Sequence, residues 1–137
     1  RETSYADTEV EIGTTYFYKA RAYTKSGVVI VYGVHSAAVS KPAPAPAIPI
    51  KSIAYTDGAV RFSWNAAQTV TKYKLFRKLP DEKTWETLGY TTETSFADET
   101  AVRGTTYVYA VQNCTKVDGT WYYSLIGPVM KTFAVPQ

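Results

Sequence analysis

The sequence predicts an all-β chain: one complete antiparallel sandwich of about seven strands, preceded by part of a second sandwich. Composition is the first reason. Twelve Tyr, three Trp and five Phe stand against a single Met in 137 residues. Aromatic and β-branched residues suit a pleated, half-buried surface and count against a helix bundle. The second reason is patterning, because short runs of alternating apolar and polar residues recur at the spacing of sandwich strands. The third is an internal repeat of domain size.

Ile48 to Tyr55 reads as an edge strand, a position that tolerates Pro49. Asp57-Gly58 is a tight-turn dipeptide. Val60, Phe62 and Trp64 then alternate with Arg61 and Ser63, which puts three large apolar groups on one face. Tyr73, Leu75 and Arg77 repeat the alternation on the next strand. Leu79 to Lys83 is a polar turn, Trp85 to Tyr90 a short strand, and Ser95 to Ala97 a brief one. Tyr107, Tyr109 and Val111 share a face of a longer strand. Val117 to Thr120 is a hairpin turn, and Trp121 to Phe133 returns as the last strand, bent near Gly127-Pro128.

The repeat has an offset of 91 residues. Thr3-Ser4-Tyr5-Ala6-Asp7 returns as Thr94-Ser95-Phe96-Ala97-Asp98, and Gly13-Thr14-Thr15-Tyr16-Phe17-Tyr18 as Gly104-Thr105-Thr106-Tyr107-Val108-Tyr109. Thr24-Lys25 returns as Thr115-Lys116, so that 11 of 23 positions match without a gap. That period suits one small sandwich and is too long for a solenoid repeat. The expected organisation is the C-terminal half of one module over residues 1–40, a linker over 41–47, and a complete module over 48–137. In the linker, Lys41-Pro42-Ala43-Pro44-Ala45-Pro46-Ala47 alternates proline in a way that favours a stiff, extended spacer. Three strands alone would leave one apolar face bare around Tyr16, Tyr18, Ala20 and Val28 to Val34, so strands from elsewhere are expected to cover it.

In the order and spacing of these elements the complete module resembles a fibronectin type III domain of the bacterial secreted or cell-surface kind. The residues that carry the resemblance are Val60-x-Phe62-x-Trp64, Tyr73, Thr94-Ser95-Phe96-Ala97-Asp98 and Gly104-Thr105-Thr106-Tyr107-x-Tyr109-x-Val111. The first forty residues repeat the second half of the pattern. The resemblance implies a seven-stranded immunoglobulin-like sandwich with Trp64 at its centre, packed against Leu75, Tyr109 and Val111. It implies tyrosine-corner roles for Tyr107 and Tyr16, and places in the structural core for both of these and for Tyr73 and Tyr18. Asn113 stands where the family often has Ala, so either a local irregularity in that strand or a buried partner for the Asn113 amide is expected. An extracellular or cell-surface location is also implied.

Chemistry-bearing residues are sparse. His35 is the sole histidine, at the end of a strand, and Cys114 the sole cysteine, so no internal disulfide forms and metal-ligand spacing is missing. Asp81-Glu82, Asp98-Glu99 and Asp118 fall in separate turns without calcium-loop spacing. No nucleophile–base pair and no paired carboxylates suggest catalysis. A net charge of +3, spread along the chain, is a weak footprint for nucleic acid, and no apolar run approaches a membrane span. The reading is a non-catalytic spacer and interaction module without a cofactor, whose partners are neighbouring domains or a chain that supplies the missing strands. The alternative is an accessory carbohydrate-binding module of a glycoside hydrolase or adhesin. Its polysaccharide-stacking residues would be Trp85, Tyr90, Trp121 and Tyr123, with Tyr122 in the same aromatic run.

Overall fold

The structure is a computed structural model that describes residues 4–126 and 129–137. It is all-β, with several antiparallel sheets and no α-helix among the described residues, an arrangement consistent with a β-sandwich. The chain divides into two units, Arg1–Ala43 and Pro44–Gln137.

The first unit holds β1 (Thr15–Tyr18), β2 (Arg21–Ser26), β3 (Val29–His35) and β4 (Val39–Pro42). They form two separate ladders, β1 with β4 and β2 with β3. Among the described residues of this unit no further strand pairs with either ladder. Phe17, Val28, Val31, Tyr32 and Val34 are all more than half exposed, and Val28 is 97% exposed. Tyr16 is therefore only half-buried and Tyr18 is 39% exposed, so neither is the core residue the sequence led us to expect. A tyrosine on a strand becomes core only when a second sheet covers its face.

The second unit contains β5 (Ile50–Thr56), β6 (Ala59–Trp64), β7 (Lys72–Lys78), β8 (Glu86–Thr91), β9 (Ser95–Asp98), β10 (Thr106–Val117), β11 (Thr120–Tyr123) and β12 (Lys131–Ala134). One sheet runs β5-β6-β9; the other runs β11-β10-β7-β8, with β12 also on β10. The last expected strand is thus two strands. Cys114 pairs with both Lys72 and Tyr123, and Tyr109 with both Arg77 and Lys131, so β11 and β12 share the side of β10 opposite β7. The bend expected at Gly127-Pro128 lies outside the described residues. Asp57-Gly58 and Asp118-Gly119 both have positive φ at each position, the conformation of a type I′ hairpin turn.

Val60, Phe62 and Trp64 from one sheet and Tyr73, Leu75, Tyr107, Tyr109 and Val111 from the other form a single buried cluster. Phe62 links the layers, with its ring 5.2 Å from Tyr109 and 5.9 Å from Trp64. Trp64 stands edge-on to Tyr73 at 5.2 Å. Its Nε1 has no hydrogen-bond partner among the described residues. Asn113 has one buried partner, since its Oδ1 accepts from Thr115 Oγ1 at 3.0 Å; its Nδ2 donates to the carbonyl of the exposed Pro46 at 3.5 Å.

The proline-rich segment is more engaged than a free spacer would be. Lys41 and Pro42 pair with Tyr16 and Thr15, and Ala45 is buried. Pairing satisfies backbone groups that a free tether would leave to water.

Candidate functional site

The most heavily bonded polar cluster is buried in the second unit. Arg77 ends the inward row of β7 after Tyr73 and Leu75, and Asp98 closes β9. Arg77 Nη1 donates to Asp98 Oδ2 at 2.8 Å and to Thr100 Oγ1 at 3.0 Å. Tyr109 donates its hydroxyl to Asp98 Oδ2 at 2.9 Å, and the Thr100 hydroxyl and amide both donate to Oδ1. Glu86, largely exposed, accepts from Nε and Nη2 of the same guanidinium. Burial alone would raise the Asp98 pKa, but the Thr100 and Tyr109 hydrogen bonds and the Arg77 charge outweigh it and hold the carboxyl below its usual range. Burial and the bond to Asp98 push the Tyr109 phenol far above its own. The hydrogen bonds of Arg77, Asp98 and Tyr109 tie β7, β9 and β10 together.

Parts of this device recur in the first unit at the repeat offset. Tyr18 donates to Asp7 at 3.0 Å, as Tyr109 does to Asp98. The Tyr16 hydroxyl accepts from the Glu11 amide and that of Tyr107 from the Val102 amide, each five residues upstream. Hairpin registers also correspond: Thr24 faces Val31 as Thr115 faces Tyr122.

The outer face of the larger sheet is different. Alternation on β7 turns Lys72, Lys74, Phe76 and Lys78 away from the core, and pairing aligns Gln112 with Lys74 and Cys114 with Lys72. The β10–β11 hairpin sets Tyr123 opposite Cys114 and Trp121 opposite Lys116. Tyr90 lies opposite Lys74 on β8. Together Lys72, Lys74, Tyr90, Gln112, Trp121 and Tyr123 line a shallow cleft of about 330 Å³. Tyr90 and Tyr123 are each about half exposed, and Trp121 is half-buried. Lys72 Nζ sits 4.5 Å from the Tyr90 ring centre and 4.7 Å from that of Trp121.

Three of the four sequence-predicted stacking residues therefore share one cleft. Trp85 does not line it; its ring packs edge-on against Phe76 at 6.2 Å, and it is half-buried there. The lysines and Gln112 were not foreseen, although the period-2 run Lys72-x-Lys74-x-Phe76-x-Lys78 carries the signal. A second depression, of about 510 Å³, crosses β5, β6 and β9. Arg61 is its one charged lining residue, and its Ser52 and Ser63 hydroxyls satisfy each other at 2.6 Å.

His35 is exposed at the end of β3, paired with Arg21. Cys114 is fully buried, and burial raises its thiol pKa against the opposing field of Lys72 and Lys74. Comparison with protein-family models and with curated proteins finds no match to this chain.

Proposed function

We propose that this chain is a non-catalytic, extracellular spacer and interaction segment built from fibronectin type III-like modules, one complete and one in part. The observation that carries the reading is the tandem recurrence of one bracing device. The Tyr–Asp bond and the tyrosine-to-upstream-amide bond occur at the same offset in both units. Repeated modules of one geometry are how a chain sets a distance between its neighbours. Among the ionisable groups buried in the second unit, Arg77, Asp98 and Tyr109 are consumed in mutual bonds and are poor candidates for chemistry on a substrate. The bare apolar faces of the first unit support completion by strands equivalent to β5–β8, supplied by the parent protein or by another copy. Asp7, the counterpart of Asp98, accepts from Tyr18 but lacks an arginine like Arg77 among the described residues, and such a strand would bring one.

The test is replacement in the parent protein. An unrelated sandwich of equal span should preserve the work of the flanking domains, and deletion of the module should impair it. Loss of function upon replacement would refute a pure spacing role.

A second reading, carbohydrate binding, draws support from the cleft of Tyr90, Trp121 and Tyr123, whose partly exposed rings offer flat apolar surface to a sugar.

A further inference from the structure

The cleft on the outer face is as cationic as it is aromatic, and its charge is uncompensated. Lys72, Lys74 and Lys116 all project from this face. Among the described residues none of them has a carboxylate within 4.0 Å; the ion pairs found there both belong to Arg77. Alternation sets Lys72 and Lys74 roughly 7 Å apart along β7. The rings hold the ammonium groups in place: Lys74 Nζ lies 4.7 Å from the Phe76 ring centre and Lys116 Nζ 5.7 Å from that of Trp121. Like charges gathered on one face repel one another, and an anion laid across them removes that repulsion.

We infer that this face binds an acidic glycan, a polysaccharide whose sugars carry carboxylate or sulfate groups. The inference rests on the carbohydrate reading and deepens it. Pyranose C–H faces would pack on Tyr123 and on the ring surface of Tyr90 and Trp121 that the lysines leave open, while Lys72, Lys74 and Lys116 pair with the acidic substituents. Gln112 Nε2 is occupied by the Ser124 carbonyl, which leaves its Oε1 to accept from a sugar hydroxyl.

The experiment is titration of the whole 137-residue chain, followed by tryptophan fluorescence and affinity electrophoresis. The probes are polygalacturonate, heparin, neutral dextran and a single-stranded thymidine oligonucleotide. Polygalacturonate or heparin should bind, at least tenfold tighter than dextran and more weakly as salt rises. Whichever of the two binds tighter identifies carboxylate or sulfate as the preferred group. K72Q/K74Q should cut that affinity at least tenfold with an unchanged unfolding midpoint. W121A should weaken it as well, and K51Q, on the other sheet, should not. Dextran bound as tightly as the acidic polymers would overturn the anionic proposal and leave carbohydrate binding standing. No binding of any polysaccharide would overturn both. Oligonucleotide bound as tightly as the acidic glycans would replace the proposal with a generic polyanion surface. Affinity unchanged in K72Q/K74Q would place the site elsewhere.

Discussion

Replacing Arg77 with Met tests whether the buried ion pair braces the second unit. Among the described residues Arg77 is the sole cation on Asp98, whose side chain is 1% exposed, whereas Glu86 is 59% exposed and keeps water as an alternative partner. Removing one member of a buried pair typically costs 3–5 kcal/mol, because the other charge is left desolvated without compensation. Asp98 would retain its bonds from Tyr109 and Thr100, which places R77M near the low end, about 3 kcal/mol. For a domain of this size that lowers the Tm by roughly 12–24 °C. E86Q, touching an exposed pair, should cost about 1 kcal/mol or less. All three tryptophans lie in the second unit, so urea unfolding followed by Trp fluorescence reports on that unit alone. The pH dependence supplies a sharper check. Without Arg77, the Asp98 pKa rises, so the carboxyl protonates more readily and the deficit of R77M should shrink between pH 7 and pH 3. A deficit below about 1 kcal/mol, or one equal at both pH values, would refute the assignment of Asp98 as a buried carboxylate held by Arg77.

Other perturbations separate neighbouring causes. Because the Asp98 pKa is lowered in the folded state, its contribution is fully present above the ordinary carboxylate value of about 3.9 and is lost as pH falls through the lower folded value. Acid titration of stability should therefore fall less steeply in D98N over that window, and an identical slope would count against the shift. Trp64→Ala should cost roughly 3–5 kcal/mol by cavity formation. Trp64→Phe should cost clearly less, since it also removes the unpartnered Nε1 donor; equal losses by chemical denaturation would contradict that asymmetry. Cys114 should resist an aromatic disulfide reagent in the native chain and react within the unfolding transition, because it is buried with a raised pKa. Rapid native labelling would show that its cover opens.

The elements that the sequence made legible are those where one period dominates. Val60-x-Phe62-x-Trp64 and Tyr73-x-Leu75 alternate cleanly, and both runs are buried on alternate positions. Trp121 to Phe133 reads as one strand because both its ends have strand composition; register shows two separate partners of β10, the first ending at Tyr123. The candidate cleft was half legible. Its aromatic residues stand out in the composition, but Lys72 and Lys74 look like ordinary solvated charge until pairing aligns β7 with β8 and β10. Trp85 illustrates the converse: an aromatic residue beside a short strand, spent on Phe76 rather than on the cleft.

The repeat separates two kinds of information that a single domain would confound. Tyr16 and Tyr107 reach back to amides five residues upstream, and Tyr18 and Tyr109 each bond an aspartate eleven residues upstream. Those devices are local, and both units have them. Yet Tyr109 is fully buried and Tyr18 is 39% exposed. Local hydrogen bonds set the path of the chain, each contributing about 1 kcal/mol net, whereas burial of a large side chain against a second sheet contributes about 1.5–3 kcal/mol. Supplying strands equivalent to β5–β8 would leave the bonds of the first unit as they are and change what its tyrosines face. If strands equivalent to β5–β8 cover that unit, as proposed, the amides of Val29–His35 should gain protection in their presence, and hydrogen exchange would read it; unchanged protection would count against the proposal.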